Sequence, residues 1–307
     1  MTHQQHMAAV VAAFVVGVPQ ARAQQSAPVI DAHFHAFTAS WQAVRQGPRD
    51  TAWYPRALPR VSTTEELVRE NVTQLRQHNI VRVIASSYDL ADVELYRRAA
   101  PDRVIPALML VANTNLDSIR AWHAAGRVAV LGEAMWQYQG LSPADSALEP
   151  LWRLAEELDL PVGVHMGLGP PGVQNERPYR MRLSDPLQLE EVLVRHPRLR
   201  VYVMHAGWPL LDRIVGLLFS YPNVYVDVGV IDWYIPRPEF HTYLRRLVEA
   251  GFADRVMFGS DQMQWPAAMP IAIQAVESAT FLAPAQKRDI LCRNAVRFFR
   301  LDPQLCD

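Results

Sequence analysis

Histidines and carboxylates that could bind a metal occur at six positions far apart in the sequence. They are His33, His35, Glu133, His165, His205 and Asp261. Imidazole nitrogens and carboxylate oxygens are ligands that Zn²⁺ and other divalent cations take in proteins. His33 and His35 are two residues apart, so on a strand their side chains would share one face. A metal site that activates water for hydrolysis is therefore the first hypothesis.

Each of these residues stands at or near the end of a short apolar run. The eight runs are VIDAHFH (29–35), VRVIASS (81–87), VIPALMLV (104–111), VAVLGEAM (128–135), VGVHMG (162–167), VYVMHAG (201–207), VYVDVGV (224–230) and VMFGSD (256–261). Their hydrophobicity is continuous rather than alternating, which is typical of parallel strands buried on both faces.

Helix-like segments separate the runs. The first opens at Thr63 and Glu66 with the spacing of a capping box. The others cover 91–100, 116–125, 147–158, 187–195, 210–220, 239–250 and 284–299. Strands that alternate with helices eight times predict an α/β fold, a single-domain (β/α)₈ TIM barrel. The alternative is an open doubly wound sheet, which would carry a glycine-rich turn after its first strand, where this chain has histidines.

The predicted barrel explains why distant residues could form one site. Active sites of such barrels lie at the C-terminal ends of the strands, where the six side chains would converge. Taken singly, each has an ordinary explanation: a core histidine, a carboxylate paired with arginine, or a helix N-cap. Together, several ionisable groups in a dry cup would repel one another unless a divalent cation neutralised the carboxylates. Their joint placement therefore favours one metal-binding active site.

The first 23 residues are predicted to be a signal peptide. The run AAVVAAFVVGV (8–18) is too short to span a bilayer, and Ala21-Arg22-Ala23 follows it as a cleavage site. The start, MTHQQHM, is atypical because it lacks lysine and arginine. We expect a periplasmic or secreted barrel of residues 24–307 with no membrane association. Cys292 and Cys306 could form a disulfide there or remain unpaired, and the sequence leaves both readings open.

The composition limits the partners. The 307 residues carry a formal net charge of −1, and nothing indicates the basic face that a nucleic-acid partner requires. We expect a small-molecule substrate, enclosed by two long loops, 36–62 and 168–186. Aromatic walls suit a cyclic substrate and arginine suits a carboxylate, although each such residue could equally be packing or a surface cation. The candidate substrate contacts are Trp136, Arg177, Arg180, Trp208 and Trp265, with Trp41, Trp53, Tyr138, Trp233 and Arg182 as further wall residues.

Several motifs resemble the amidohydrolase superfamily. VIDAHFH resembles its strand-one signature, and RVMFGSDQMQWP (255–266) resembles its strand-eight signature. VMHAGWP (203–209) followed by YPNVYVDVG (221–229) resembles amidohydrolase family 2, metal-dependent hydrolases related to aromatic-acid decarboxylases. The pairs Asn294-Ala295 and Phe298-Phe299 also look like that subgroup.

The resemblance implies one of two metal sites. Glu133 looks like the strand-four bridging carboxylate of binuclear members, such as the TatD-like nucleases and phosphotriesterase relatives. In that arrangement one metal is held by His33, His35 and Asp261, the second by His165 and His205, and Glu133 bridges both. Asp261 then takes the proton of the nucleophile and passes it to the leaving group. In the mononuclear arrangement a single Zn²⁺ is held by His33, His35, His165 and Asp261, His205 is a base or electrophile, and Glu133 is structural.

Three functions remain open at this point. The first is hydrolysis of a small ester, lactone or amide by a metal-activated water. The second is a mononuclear zinc enzyme that decarboxylates an aromatic carboxylic acid without oxidation, or hydrolyses a C–C bond in one. The third is a non-enzymatic exported barrel that carries a metal or ligand. The resemblance also implies a possible homodimer.

Overall fold

Eight parallel strands form the centre of the molecule. The computed structural model describes residues 26–39, 58–59, 61–173 and 178–307. The strands are β1 (Val29–His35), β2 (Ile80–Ser87), β3 (Val104–Leu110), β4 (Val130–Ala134), β5 (Val162–His165), β6 (Val201–Met204), β7 (Val224–Asp227) and β8 (Val256–Met257). Each strand pairs with the next in chain order. The backbone N–H of Ala32 donates to the carbonyl of Phe258 at 2.9 Å, which brings the end of the sheet back to β1. The predicted TIM barrel is confirmed.

Helices follow the strands and pack on the outside of the barrel. They are α1 (Thr64–Gln77), α2 (Leu90–Ala99), α3 (Leu116–Ala124), α4 (Glu149–Glu157), α5 (Glu190–Arg195), α6 (Leu211–Ser220), α7 (Ile231–Tyr234), α8 (Arg237–Glu249), α9 (Ala268–Glu277), α10 (Pro284–Arg288) and α11 (Asn294–Phe299). Thr63 caps α1 by accepting a hydrogen bond from the backbone N–H of Glu66, as the capping-box spacing predicts.

Two features differ from the sequence-based prediction. The strands of the second half end earlier than their apolar runs, because residues such as His205 and Asp261 leave the sheet and turn into the site. Two helices are absent from the predicted ones, the short α7 and the longer α9. For α9 the reason is its composition. Its only charged residue is Glu277, so no polar face distinguishes it from a buried loop. Among the residues that the structure describes, no helix has both the length and the apolar character needed to cross a bilayer.

A disulfide joins Cys292 and Cys306. Cys292 lies in the π-helical turn Asp289–Arg293, and Cys306 lies in the last turn of the chain. Both belong to a buried cluster that includes Phe298 of α11 and Tyr202 of β6. The bond therefore ties the C-terminal tail to residues that pack against the strands, and it decides the question that the sequence left open.

Loss of this disulfide should destabilise the barrel. The bond joins two residues with a sequence separation of 14. Closing a loop of this length lowers the entropy of the unfolded chain, which stabilises the folded state by on the order of 3 kcal/mol. We expect the double variant Cys292→Ser/Cys306→Ser to unfold at a lower urea concentration than the wild type. Wild type with reductant should match the double variant, and reductant should not affect the variant. An unchanged midpoint in both cases would contradict the prediction.

Candidate metal centre

The two histidines of β1 face two carboxylates. His35 Nε2 lies 2.9 Å from Asp261 Oδ1 and 3.4 Å from Glu133 Oε2. His33 Nε2 lies 3.7 Å from Asp261 Oδ1 and 3.8 Å from Glu133 Oε2. Strand β1 therefore presents two imidazole nitrogens to the same pair of carboxylate oxygens.

The other oxygen of Glu133 faces a second pair of histidines. His165 Nδ1 lies 2.5 Å from Glu133 Oε1, and His205 Nε2 lies 3.4 Å from the same oxygen. The two imidazole nitrogens are themselves 3.0 Å apart. Glu133 thus lies between two histidine pairs, with one carboxylate oxygen directed at each. The structure brings all six residues expected from the sequence into one cluster.

The cluster is buried and its charges are strongly interdependent. None of the six residues is more than 8% exposed. Burial by itself raises the pKa of Glu133, but the hydrogen bond and charge of His165 outweigh it and hold the pKa well below its usual range. Burial lowers the pKa of His165, and the neighbouring His205 lowers it further. For His33, burial is outweighed by the charges of Asp261 and Asp227, so its pKa is raised. Ionised carboxylates therefore persist in a dry site beside imidazoles.

The donor set fits a divalent metal. The ligand atoms of His33, His35 and Glu133 lie within 4.8 Å of one another, as do those of Glu133, His165 and His205. Two ligands that each lie about 2.0–2.1 Å from one zinc ion are at most about 4.2 Å apart. The distances of 3.4 Å between His35 Nε2 and Glu133 Oε2 and of 3.0 Å between His205 Nε2 and His165 Nδ1 are within this limit. His33 Nε2 and Asp261 Oδ1 are buried without a hydrogen-bond partner, although both are directed into the cluster. A cation bound there would satisfy both atoms.

Asp227, at the end of β7, is a site residue that the sequence reasoning did not single out. Its carboxylate lies 3.3 Å from His33 Nδ1 and accepts hydrogen bonds from the backbone N–H of His205 at 3.2 Å and of Gly229 at 2.8 Å. A carboxylate on the far nitrogen of a ligand histidine fixes the orientation of the ring. Its position in the sequence could have identified it, because Asp227 is the last residue of β7 just as His35 and His165 are the last residues of β1 and β5.

The backbone is shaped to bring ligands inward. His205 and Asp261 have φ angles of 58° and 45°, a left-handed conformation that is uncommon for residues with a side chain. A Cβ added at Gly259 would lie 2.6 Å from the Cβ of His33, so only glycine allows this segment to pass so close to β1. The backbone is therefore strained just after β6 and β8, and after β8 it also passes close to β1, where the cluster residues lie.

A cavity of about 440 Å³ opens above the cluster. Its floor includes five of the six site residues, namely His35, Glu133, His165, His205 and Asp261. Its walls are mostly apolar and come from the loops after several strands. They are Phe37, Met109, Met135, Tyr138, Leu168–Val173, Trp208, Val230, Ile231, Tyr234, Ile235 and Met263. The volume lies in the range of small-molecule sites.

Some of the residues and loops predicted to wall the site line the cavity. The loop after β5 contributes Leu168–Val173 to the cavity, and Trp208 and Tyr138 line it as expected. Trp41, Trp53 and Arg177 lie outside the described residues, as do positions 1–25. In the segment after β7, Trp233 was the expected wall residue, but the residues that line the cavity are Val230, Ile231, Tyr234 and Ile235.

Other predicted contacts are placed elsewhere. Trp136 is fully buried and packs edge-on against Trp152 with ring centroids 5.0 Å apart, so it belongs to the core rather than the wall. Trp265 is 1% exposed and packs beside Trp233 behind the cavity. Arg180 is exposed, and its guanidinium donates to the carbonyl oxygen of Tyr179 at 2.7 Å. Arg182 is exposed as well. These four residues were expected to wall the cavity, but the two tryptophans lie in the core and the two arginines lie at the surface.

A TIM barrel with a His/Glu/Asp cluster at the C-terminal ends of its strands is the architecture of a metal-dependent barrel enzyme. The chain belongs to the amidohydrolase family, whose model, described as Amidohydrolase, matches residues 30–301. Membership of this family and the buried cluster together imply a divalent metal.

Solved structures share the fold at low identity. An uncharacterized TIM-barrel protein from Bordetella bronchiseptica is 18% identical, with a TM-score of 0.68 over 89% of this chain and 98% of that one. A probable 2-pyrone-4,6-dicarboxylic acid hydrolase from Acinetobacter baumannii is 16% identical, with a TM-score of 0.62 over 89% and 99%. A 5-carboxyvanillate decarboxylase from Novosphingobium aromaticivorans, with bound manganese, is 15% identical, with a TM-score of 0.64 over 91% and 98%.

A curated relative matches only in part. Protein fluG from Emericella nidulans is 23% identical over 159 residues, which is 47% of this chain. The match spans 18% of that much longer protein. It therefore adds little about activity.

Asp227→Asn should weaken metal binding while the fold is retained. The amide keeps the size of the side chain but loses the negative charge beside His33 Nδ1, and loss of such an orienting partner typically costs about 10–100-fold in metal affinity. Metal affinity is measured by competition with a chelator of known affinity. Asp232→Asn is the matched control, because Asp232 is an equally buried aspartate for which the structure shows no hydrogen bond to a ligand histidine. Equal affinities for the two variants would contradict the orienting role.

Proposed function

We propose that this protein is a metal-dependent hydrolase that cleaves a small ester, lactone or amide. The observation that carries the proposal is the position of Glu133, whose two oxygens face two separate histidine pairs. This supports a bridging carboxylate and two divalent cations, with Zn²⁺ as the first candidate because imidazole and carboxylate ligands suit it.

The residues around the cluster can carry the proton transfers of hydrolysis. When bound, the metals would lower the pKa of water toward neutrality and polarise the scissile carbonyl. Asp261 directs Oδ1 at His35 and places Oδ2 3.8 Å from His205 Nδ1. Asp261 is positioned to accept a proton from water and to deliver it to the leaving group. His205 Nδ1 is held 2.9 Å from the carbonyl oxygen of Gly229, which orients its Nε2 toward Glu133. Both residues are 5% exposed and line the cavity, so solvent and substrate reach them from that side.

Glu133→Gln should halve the metal content. The amide offers one oxygen in place of two and removes the negative charge shared by the histidine pairs. We expect two equivalents of metal per wild-type chain and about one in the variant after reconstitution with excess Zn²⁺ and gel filtration, measured by mass spectrometry of the metal. Glu156→Gln, on the outside of the barrel, is the control and should retain two. One equivalent in both wild type and variant would support the mononuclear arrangement instead.

Asp261→Asn should nearly abolish turnover. The change removes the proton acceptor, which typically contributes about 10²–10⁴-fold, and it weakens one metal ligand as well. The measurement is kcat/KM for metal-loaded protein in a screen of esters, lactones and amides, with circular dichroism to check the fold. A variant with near wild-type kcat/KM would exclude Asp261 as the proton carrier.

Decarboxylation of an aromatic acid is the second candidate. It is favoured by the shared fold with a protein described as a 5-carboxyvanillate decarboxylase. Release of carbon dioxide from hydroxybenzoates by protein that holds a single metal would support it. Turnover of esters or lactones by protein that holds two metals would support the hydrolase.

We also propose export to the periplasm or beyond. The disulfide between Cys292 and Cys306 supports this, because such bonds persist in oxidising compartments and are rare in the cytosol.

A further inference from the structure

The polar and apolar parts of the cavity are sharply separated. All the charged side chains among its described lining residues belong to the cluster on its floor, which includes Glu133 and Asp261. The walls above the floor are formed by methionine, aliphatic, aromatic, proline and glycine residues. A ligand that fills the cavity therefore has its polar reacting group at one end only.

Three groups of residues make the apolar walls. One contains Phe37, Met109 and Met263, which pack together in a buried apolar cluster. The second contains Val230, Ile231, Tyr234 and Ile235, in and beside α7. The third is the loop Leu168–Val173. Apolar surface of this kind favours apolar ligand parts, because their transfer from water is favourable in proportion to the area buried.

The described wall residues carry few polar side-chain groups and no charged ones. Trp208 donates its indole N–H to Glu239 Oε1 at 3.2 Å. Tyr138 stands edge-on to the ring of His165, with centroids 5.6 Å apart. The described lining residues include no arginine or lysine, and the guanidinium of Arg180 is exposed and bound to backbone carbonyls. A carboxylate placed among these walls would lose its hydration without gaining a partner of opposite charge.

We propose that the substrate is a neutral ester or lactone whose substituents are apolar, and that carboxylates remote from the scissile bond are disfavoured. This rests on the proposed hydrolase function and narrows its substrate class. A preference for neutral substrates would distinguish this protein from a hydrolase of a dicarboxylic acid, which is how one of the proteins that share its fold is described.

The proposed reaction is ester hydrolysis, and water is its only co-substrate. The water oxygen bonds to the acyl carbon, and the bond between the acyl carbon and the alcohol oxygen breaks with its electron pair on that oxygen. One proton of water passes through Asp261 to the departing oxygen, which gives the alcohol. The acid product ionises, and among the described wall residues the new carboxylate finds no cation away from the floor.

The first test compares two esters that differ only at the remote end of the acyl chain. They are 4-nitrophenyl hexanoate and 4-nitrophenyl hydrogen adipate, in which a carboxylate replaces the terminal methyl group. We expect kcat/KM of zinc-loaded protein to be at least about tenfold higher for the hexanoate, because the adipate must bury an unpaired charge. Equal or greater turnover of the adipate would overturn the inference and leave the hydrolase proposal standing.

The second test measures binding without turnover. Hexanophenone and 5-benzoylpentanoate are ketones that cannot be hydrolysed and differ in the same methyl and carboxylate groups. Isothermal titration calorimetry with metal-free and zinc-loaded protein should give at least about tenfold tighter binding of hexanophenone in both. If this preference is seen but no ester or lactone is turned over, the hydrolase proposal fails and the cavity preference stands. Tighter binding of the carboxylate would overturn the preference itself.

A charge variant connects the preference to the walls. Ile235→Arg places a cation at a half-buried lining position and should reduce the preference for hexanophenone to about equality, or reverse it, by supplying the missing partner. Phe219→Arg is the matched control: it adds the same charge on α6, at a side chain that is 82% exposed and does not line the cavity. An equal shift in both variants would assign the preference to overall charge and overturn the role of the walls.

Discussion

The rest of the structure depends on holding four imidazoles and two carboxylates together in a space from which water is excluded. Like groups so close together repel one another, and buried polar atoms without partners are costly. Glu133 relieves this constraint most directly, because each of its oxygens faces a different histidine pair. A divalent cation would complete the compensation, and in the proposed two-metal site one cation would lie at each pair. His33 Nε2, which is buried without a hydrogen-bond partner, would then be satisfied.

The barrel makes this arrangement possible because parallel strands end on one face. Short strands in the second half let His205 and Asp261 leave the sheet in left-handed conformations and turn toward the axis. Asp227 then supports the ligands from behind, through the ring of His33 and the backbone of His205. The stable hydrogen-bonded barrel thus supplies the rigidity that a strained and charged site requires.

The same scaffold accommodates more than one chemistry. Proteins described as a hydrolase and as a decarboxylase share this fold at TM-scores above 0.6, yet at only 15–16% identity. Fold similarity at this level does not assign a reaction. The reaction of this chain has to be argued from its own site: the carboxylate at the end of β4, the aspartate behind His33, and the polarity of the loops above them. Here those loops form apolar walls over a charged floor.

Much of this could be predicted from the sequence, because the signals are local. Continuous apolar runs identify strands buried on both faces, and a ligand at a strand end follows from its position in the run. The order of the eight strands and the six residues of the cluster were accessible in this way. Helix α9 was not, because a helix that carries almost no charge has no polar face to reveal it.

The tertiary structure alone decided which side chains face the cavity. Trp136 and Trp208 each follow a strand end, yet one is buried against Trp152 and the other lines the cavity. Arg180 lies in the expected loop but bonds to the backbone at the surface. The sequence places a residue along the chain, whereas the direction of its side chain depends on helices and loops that are distant in sequence. Four residues of the cluster, His33, His35, Glu133 and His165, escaped this uncertainty because they lie on strands, where the pleat fixes the face of each side chain.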